Sequence, residues 1–300
     1  MGPESERWQC AGLRWSASGP ALVWRHPVRG ERLSPLPPGR PLAFTTGERR
    51  RCVGVRRGGR HTPCPAGAEV PCSAVSAQCG DCARLDRSHS VAADTIADDP
   101  RPYDVYLAWF GPGLVKAGIT AAERAGARLL EQAALSHALL GCGPLMAARR
   151  AEAVLGAALA VPDRFPYAAK RAARVPLPSQ GLRAAELAGL HERARGLEGL
   201  PESLAVLAFT PVHHDAAFHL EGIRPGHELV ELAAGRTVAG RVTAVAGPDV
   251  YLDGADGRLL LVDARQLAGW ALSAAAPDAV TTARTAAIRM PPPAGPEVLF

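Results

Sequence analysis

Lysine and long apolar runs are both scarce in this chain of 300 residues. Only Lys116 and Lys170 are lysines, although lysine and arginine together number 34. No stretch reaches eighteen apolar residues without a charge, which argues against a membrane-spanning helix. The first ten residues contain acids and an early tryptophan, whereas a signal peptide has a basic start and an apolar run. The sequence therefore predicts a cytoplasmic protein with no membrane partner.

Positive charge is unevenly distributed along the chain. The net charge is +5, yet residues 1–60 carry twelve arginines against four glutamates, and residues 101–175 carry ten basic residues against five acidic ones. A basic surface of this kind suits phosphate binding, because each neutralised phosphate releases counterions. Arg49, Arg50 and Arg51 are candidate phosphate contacts. A GC-rich genome, which enriches arginine without any function, would explain the same composition.

Five of the seven cysteines fall between positions 52 and 82. Disulfide frameworks belong to small secreted chains, so clustered cysteines in a chain of this kind indicate a metal site. Cys79 and Cys82 form a C-x-x-C knuckle, and the upstream candidates for the other two ligands are Cys52, Cys64, Cys72 and His61. We choose Cys52 and Cys64, which predicts a closed four-thiolate site holding a structural Zn²⁺. A redox dithiol at the knuckle and simple buried cysteines are the alternatives.

Hydrophobic patterning predicts an α+β fold with three modules and a tail. A β-rich, zinc-bearing module spans residues 1–100, a module of a hairpin and helices spans 101–200, and a small β-barrel-like module spans 201–275. Residues 276–300 are rich in Ala, Thr and Pro and are predicted to be disordered. In the middle module, VYLAWF and LVKAGI form the hairpin, one helix runs from Ala121 to the GCGP breaker, and the next is LMAARRAEAVLGAAL.

The middle module resembles the GIY-YIG endonuclease superfamily, in which a hairpin with two short motifs precedes an arginine-bearing helix and a later helix with a metal-binding glutamate. The resemblance implies a GIY-YIG-like domain whose first-motif tyrosine is Tyr106. Its second motif is KAG, with Gly118 as the glycine and Lys116 in place of the tyrosine. It further implies Arg128 as the arginine, with Arg124 as a rival, and Glu152 as the glutamate that holds Mg²⁺ or Mn²⁺.

These residue types suit phosphodiester hydrolysis without reference to any family. The reaction needs a base or a group that positions water, a cation on the phosphate, and a carboxylate that holds a divalent ion. Tyr106, Arg128 and Glu152 supply the three, and Lys116 beside Gly118 adds positive charge. A nucleic acid, DNA or RNA, is the expected partner.

A second resemblance covers most of the chain. CVG at 52–54, QCGDC at 78–82, KAGIT at 116–120 and RLLEQ at 128–132 occur in the order found in an uncharacterised prokaryotic family, domain of unknown function family 2797. That family implies no activity. Three hypotheses therefore stay open: a metal-dependent endonuclease, a non-catalytic nucleic-acid-binding protein with a degraded site, and a zinc-stabilised protein-interaction module. A second metal site at His213, His214 and His219 is a further alternative.

Overall fold

The first part of the chain is rich in strands, which are separated by tight turns. The computed structural model describes residues 8–57, 60–86, 99–162, 164–224 and 226–288. Its first elements are β1 (Gln9–Ser16), β2 (Gly19–His26), β3 (Gly30–Pro35), β4 (Pro41–Arg50), β5 (Val55–Arg57), β6 (Arg60–Thr62) and the short helix α1 (Gly80–Leu85). The strands β5 and β6 form a hairpin of their own beside the cysteines.

Strands and helices alternate in the middle of the chain. They are β7 (Tyr103–Trp109), β8 (Val115–Ala121), α2 (Ala125–Glu131), β9 (Ser136–Gly143), α3 (Leu145–Leu159), α4 (Tyr167–Ala172), α5 (Gln180–Arg195), β10 (Ala205–Val206), β11 (Val212–His213) and α6 (Asp215–Phe218). They build a five-stranded sheet in the order β10-β9-β7-β8, with β11 also paired to β9. All seven residues of β7 are buried, because β7 lies between β8 and β9 and also contacts α3 and α5.

The last part of the chain returns to the first strands. It contains β12 (His227–Glu231), β13 (Thr237–Ala246), β14 (Asp249–Asp253), β15 (Leu259–Asp263), α7 (Ala264–Leu267), β16 (Trp270–Ala274) and β17 (Arg284–Ala287). Together with β1–β4 these strands form one ten-stranded sheet in the order β17-β12-β15-β14-β13-β4-β16-β1-β2-β3. Only the β12–β15 pair is parallel among the neighbours in this order.

This sheet differs from the predicted barrel-like C-terminal module. Its path is open, with β17 at one edge and β3 at the other, so within the described residues the strands do not close on themselves. The physical reason is that β13 and β16 pair with β4, a strand from the first fifty residues. The predicted disordered tail also begins too early, because β17 pairs with β12, while residues 289–300 lie outside the described residues.

The long helix predicted from Ala121 to the GCGP breaker is wrong in its second half. Helix α2 ends at Glu131, and β9 begins at Ser136. Between them Ala133 has a φ of 61°, a left-handed conformation that cannot continue a right-handed helix. The predicted hairpin and the helix at Leu145–Leu159 are present. Among the described residues, no helix is both long and apolar enough to cross a membrane.

Candidate functional sites

The sulfur atoms of Cys52, Cys64, Cys79 and Cys82 all lie within 4.8 Å of one another. The Cys64 and Cys79 sulfurs are 3.9 Å apart. A tetrahedral ion with metal–sulfur bonds of about 2.3 Å would place its ligands about 3.8 Å from one another. These four side chains therefore fit a single metal ion such as zinc. They are also the one group of three or more His, Cys, Asp or Glu ligands in the described chain that could hold a metal.

Backbone amides donate to the sulfurs of Cys52 and Cys64 and favour negative charge on them. The amides of Gly54 and Cys79 donate to the Cys52 sulfur at 3.4 Å and 3.3 Å. The backbone N–H of Ala68 is the largest influence that holds the pKa of the Cys64 thiol down, to about 7. The thiolate is the form of cysteine that binds metal, and N–H···S bonds favour it.

The two alternative ligands take other roles. His61 directs its Nε2 at the carbonyl oxygen of Val53, 2.6 Å away. Cys72 is outside the sulfur cluster, and its carbonyl oxygen accepts a bond from Arg50 Nη1 at 3.2 Å. The ligand set chosen from the local sequence around each cysteine is thus the set whose sulfurs lie together.

Arg50 is not a phosphate contact, because it is only 1% exposed. Its guanidinium donates to five backbone carbonyl oxygens, those of Pro71, Cys72, Ala74, Arg265 and Ala268, at 2.7–3.2 Å. Three of these carbonyls belong to the cysteine-rich loop, the carbonyl of Arg265 belongs to α7, and that of Ala268 lies between α7 and β16. Arg50 therefore ties the cysteine-rich loop to the ten-stranded sheet.

Tyr106 is the centre of the second candidate site. It lies on β7 directly opposite Gly118 on β8, and it is 2% exposed. A Cβ atom on residue 118 would come within 2.5 Å of the Tyr106 hydroxyl oxygen. The glycine is therefore needed to accommodate the tyrosine ring, and the space above it is not left open for a phosphate.

The other predicted residues lie around this phenol. Burial raises the pKa of Tyr106, and the negative charge of Glu152 raises it further, while the positive charge of Arg128 opposes both. The Lys116 ammonium lies 5.7 Å from the centre of the Tyr106 ring. The structure thus brings Tyr106, Gly118, Arg128, Glu152 and Lys116 into one neighbourhood. The rival Arg124 is exposed and pairs with Glu131 at 3.4 Å.

Two groups at this site were not assigned a role from the sequence. The side-chain Nε2 of Gln132 donates to the Tyr106 hydroxyl at 3.0 Å. Lys170 Nζ donates to the backbone carbonyl oxygen of Gln132 at 3.2 Å. Gln132 ends the RLLEQ segment, so the motif contained it without indicating its task. Lys170 could have been noticed through the scarcity of lysine, because the other lysine, Lys116, is at the same site.

The three histidines proposed as a second metal site have separate environments. His213 Nδ1 bonds the Ser136 hydroxyl at 2.8 Å, and His214 Nδ1 bonds the Ala134 carbonyl oxygen at 2.7 Å. His219 is exposed and has a left-handed backbone. They do not form a metal-binding group among the described residues.

Comparison with known proteins identifies a family but no relative of described activity. No curated protein and no solved structure matches the chain. The model of a family described as "protein of unknown function (DUF2797)" matches residues 39–272, a span that contains the cysteine cluster, the Tyr106 site and most of the ten-stranded sheet. The chain therefore belongs to the DUF2797 family.

Proposed function

We propose that this protein is a nucleic-acid-associated zinc protein that hydrolyses phosphodiester bonds at the Tyr106 site with the help of a divalent ion. The observation that carries the proposal is that the Tyr106 phenol is influenced by both Arg128 and Glu152. A hydroxyl, a cation and a carboxylate in one neighbourhood are the groups that such hydrolysis requires. The order of hairpin, helix, strand and helix supports the resemblance to the GIY-YIG superfamily.

Each residue has a role that follows from its chemistry. Arg128 neutralises charge on the phosphate, and Lys116 adds a second cation in place of the tyrosine of the second motif. A tyrosine hydroxyl keeps its proton near neutral pH, and burial raises the pKa of Tyr106 further, so the hydroxyl orients water or substrate as a donor. Glu152, half-buried on α3, would hold Mg²⁺ or Mn²⁺ together with water. Such an ion supplies positive charge that stabilises the developing oxyanion.

Glu152→Gln tests the activity. The wild-type protein should cleave DNA or RNA substrates in the presence of Mg²⁺ or Mn²⁺, and Glu152→Gln should lower the cleavage rate by about 100-fold or more while the fold stays intact. Glu192→Gln, at an exposed position on α5, is the matched control and should retain the activity. Equal losses in both variants would contradict the assignment of the site.

A non-catalytic nucleic-acid-binding protein is the second candidate, and one observation favours it: Lys116 stands where the GIY-YIG enzymes, which the middle module resembles, have a tyrosine. Binding that weakens steeply with salt, without cleavage in any divalent ion, would select this candidate. If neither binding at low salt nor cleavage occurs, both functions are excluded, and the zinc-stabilised interaction module remains.

We also propose that the cysteine cluster binds a zinc ion and that the role of this ion is structural. Four thiolates complete the tetrahedral coordination of Zn²⁺ and leave no open position for a substrate. The purified protein should contain about one zinc per chain, and Cys79→Ser should lose the metal and lower the stability of the fold. Cys142→Ser, outside the cluster, is the control and should keep its zinc. The absence of transition metal from protein purified without chelators would contradict the proposal.

A further inference from the structure

Lys170 is a buried cation that has no carboxylate partner in the described chain. It lies on α4 and is 6% exposed, and no carboxylate oxygen of the described residues comes within 4.0 Å of its Nζ. Instead, the Nζ bonds the Gln132 carbonyl oxygen and lies 3.8 Å from the Phe110 ring centre and 4.9 Å from that of Tyr167. Aromatic faces compensate only part of the cost of burying an ammonium group.

Arg174, four residues further along, adds two buried donors without acceptors. Its Nη1 donates to Asp249 at 2.7 Å and to the Tyr251 hydroxyl at 2.9 Å. Its Nε and Nη2 are buried and have no hydrogen-bond partner among the described residues. Buried donors of this kind are rare in folded proteins and indicate a missing partner. Nε carries one hydrogen and Nη2 carries two, so an oxyanion would supply acceptors for three N–H bonds and negative charge for Lys170.

Burial, together with the surrounding charges, makes Lys170 a group that can change its protonation state. Burial is the main cause that lowers the pKa of Lys170, to about 7, and the positive charges of Lys116, Arg174 and Arg128 lower it further. The negative charge of Asp249 acts in the opposite direction. Arginine stays charged under all ordinary conditions, whereas lysine can lose its proton. Both lysines of this arginine-rich chain are found here.

We propose that Lys170 and Arg174 form a binding subsite for a tetrahedral oxyanion such as a phosphate group. The bound anion pairs with the ammonium group of Lys170, so a neutral Lys170 takes up a proton from solvent when the anion binds. The inference rests on the proposed function only in assigning this subsite to a phosphate of the nucleic acid next to the one that is cleaved. Anion binding itself requires no catalysis.

Radiolabelled sulfate is a suitable probe, because its charge does not change between pH 6 and pH 8.5. Equilibrium dialysis at fixed ionic strength should show that sulfate affinity falls by about tenfold or more over this range, as Lys170 loses its proton. Lys170→Gln should bind sulfate weakly at both pH values. Lys170→Arg should flatten the pH dependence, because its charge is permanent. Arg29→Gln removes an exposed charge in the β2–β3 turn and should behave as the wild type.

The outcomes separate this inference from the proposed function. Sulfate affinity that does not change with pH in the wild type, or that falls equally in Arg29→Gln and Lys170→Gln, would overturn the subsite. The pH profile of the wild type decides the question even where a Lys170 variant folds poorly. If no nucleic acid is cleaved but sulfate binds as expected, the proposed function fails and the oxyanion subsite stands.

Discussion

Arg49 and Arg50 are adjacent arginines at the end of β4 with opposite environments. Arg49 is exposed, whereas Arg50 is 1% exposed and donates to five backbone carbonyl oxygens. The composition of the basic N-terminal segment suggested a shared phosphate-binding role. Charge counting could not distinguish the two residues, because alternation along a strand places neighbouring side chains on opposite faces. At least one arginine of this segment is therefore structural.

Substitution of Arg50 by lysine should destabilise the protein by about 2–4 kcal/mol. Lysine has three donors on one nitrogen and cannot reach carbonyls arranged around a planar guanidinium, so several buried acceptors would lose their partners. Arg49→Lys should change the free energy of unfolding by less than about 0.5 kcal/mol, as is usual for exposed positions. Urea denaturation of both variants with the metal present makes the comparison. Equal effects in the two variants would show that the buried hydrogen bonds of Arg50 contribute little to the stability of the fold.

The cysteine cluster was the part of the candidate sites that could be predicted from residue types and short spacing. The knuckle of Cys79 and Cys82 is local, because a C-x-x-C turn directs two thiols to one point whatever the rest of the fold does. Cys52 and Cys64 required a choice among several candidates, and the structure places their sulfurs in the cluster. The partners of Tyr106 were harder to predict, since Lys170 reaches the site from a helix more than sixty residues away.

At the level of elements, local patterns were sufficient where strong breakers bounded them. The predicted hairpin and the helix α3 lie between glycine or proline segments and match the structure in type and position. The stretch from Leu129 to His137 was different. Its apolar spacing was typical of a helix, yet β9 is held in place by pairing with β7, β10 and β11. Tertiary pairing outweighs helical spacing in a segment this short.

At the scale of the whole molecule, the pairing of strands from the first part of the chain with strands from the last part could not be predicted. Strand β4 pairs with β13, so that Phe44 lies opposite Val238, almost two hundred residues away. Alternating apolar residues predict that a strand has a buried face, but they do not specify which strand will be its neighbour. The barrel-like module was inferred from the C-terminal strands alone for this reason. The resemblance of the middle part to the GIY-YIG superfamily stays a prediction.

Histidines and aromatic rings connect the five-stranded sheet to the ten-stranded sheet. The rings of His137, on β9, and His214 have centres 5.0 Å apart, and His214 contacts Phe218 at 5.6 Å. Phe218 in turn meets Trp15 of β1 edge to face at 5.3 Å. Burial and the charges of His214 and His213 lower the pKa of His137 to about 4, and burial also lowers the pKa of His214. This contact between the sheets therefore requires neutral imidazoles.

Acid should lower the free energy of unfolding of the protein, because these histidines are neutral in the folded state. An unfolded histidine binds a proton near pH 6.5, whereas folded His137 does so only near pH 4, so the unfolded state gains protons first as the pH falls. The free energy of unfolding therefore falls as the pH drops from 6.5 towards 4, and the loss due to His137 is about 2–3 kcal/mol at pH 4.5.

The variant His137→Leu should lose less stability than the wild type between pH 7 and pH 4.5. His219→Asn, exposed and tolerant of a left-handed backbone, should follow the wild type. Urea denaturation at the two pH values measures the difference, and parallel losses in wild type and His137→Leu would place the acid sensitivity elsewhere.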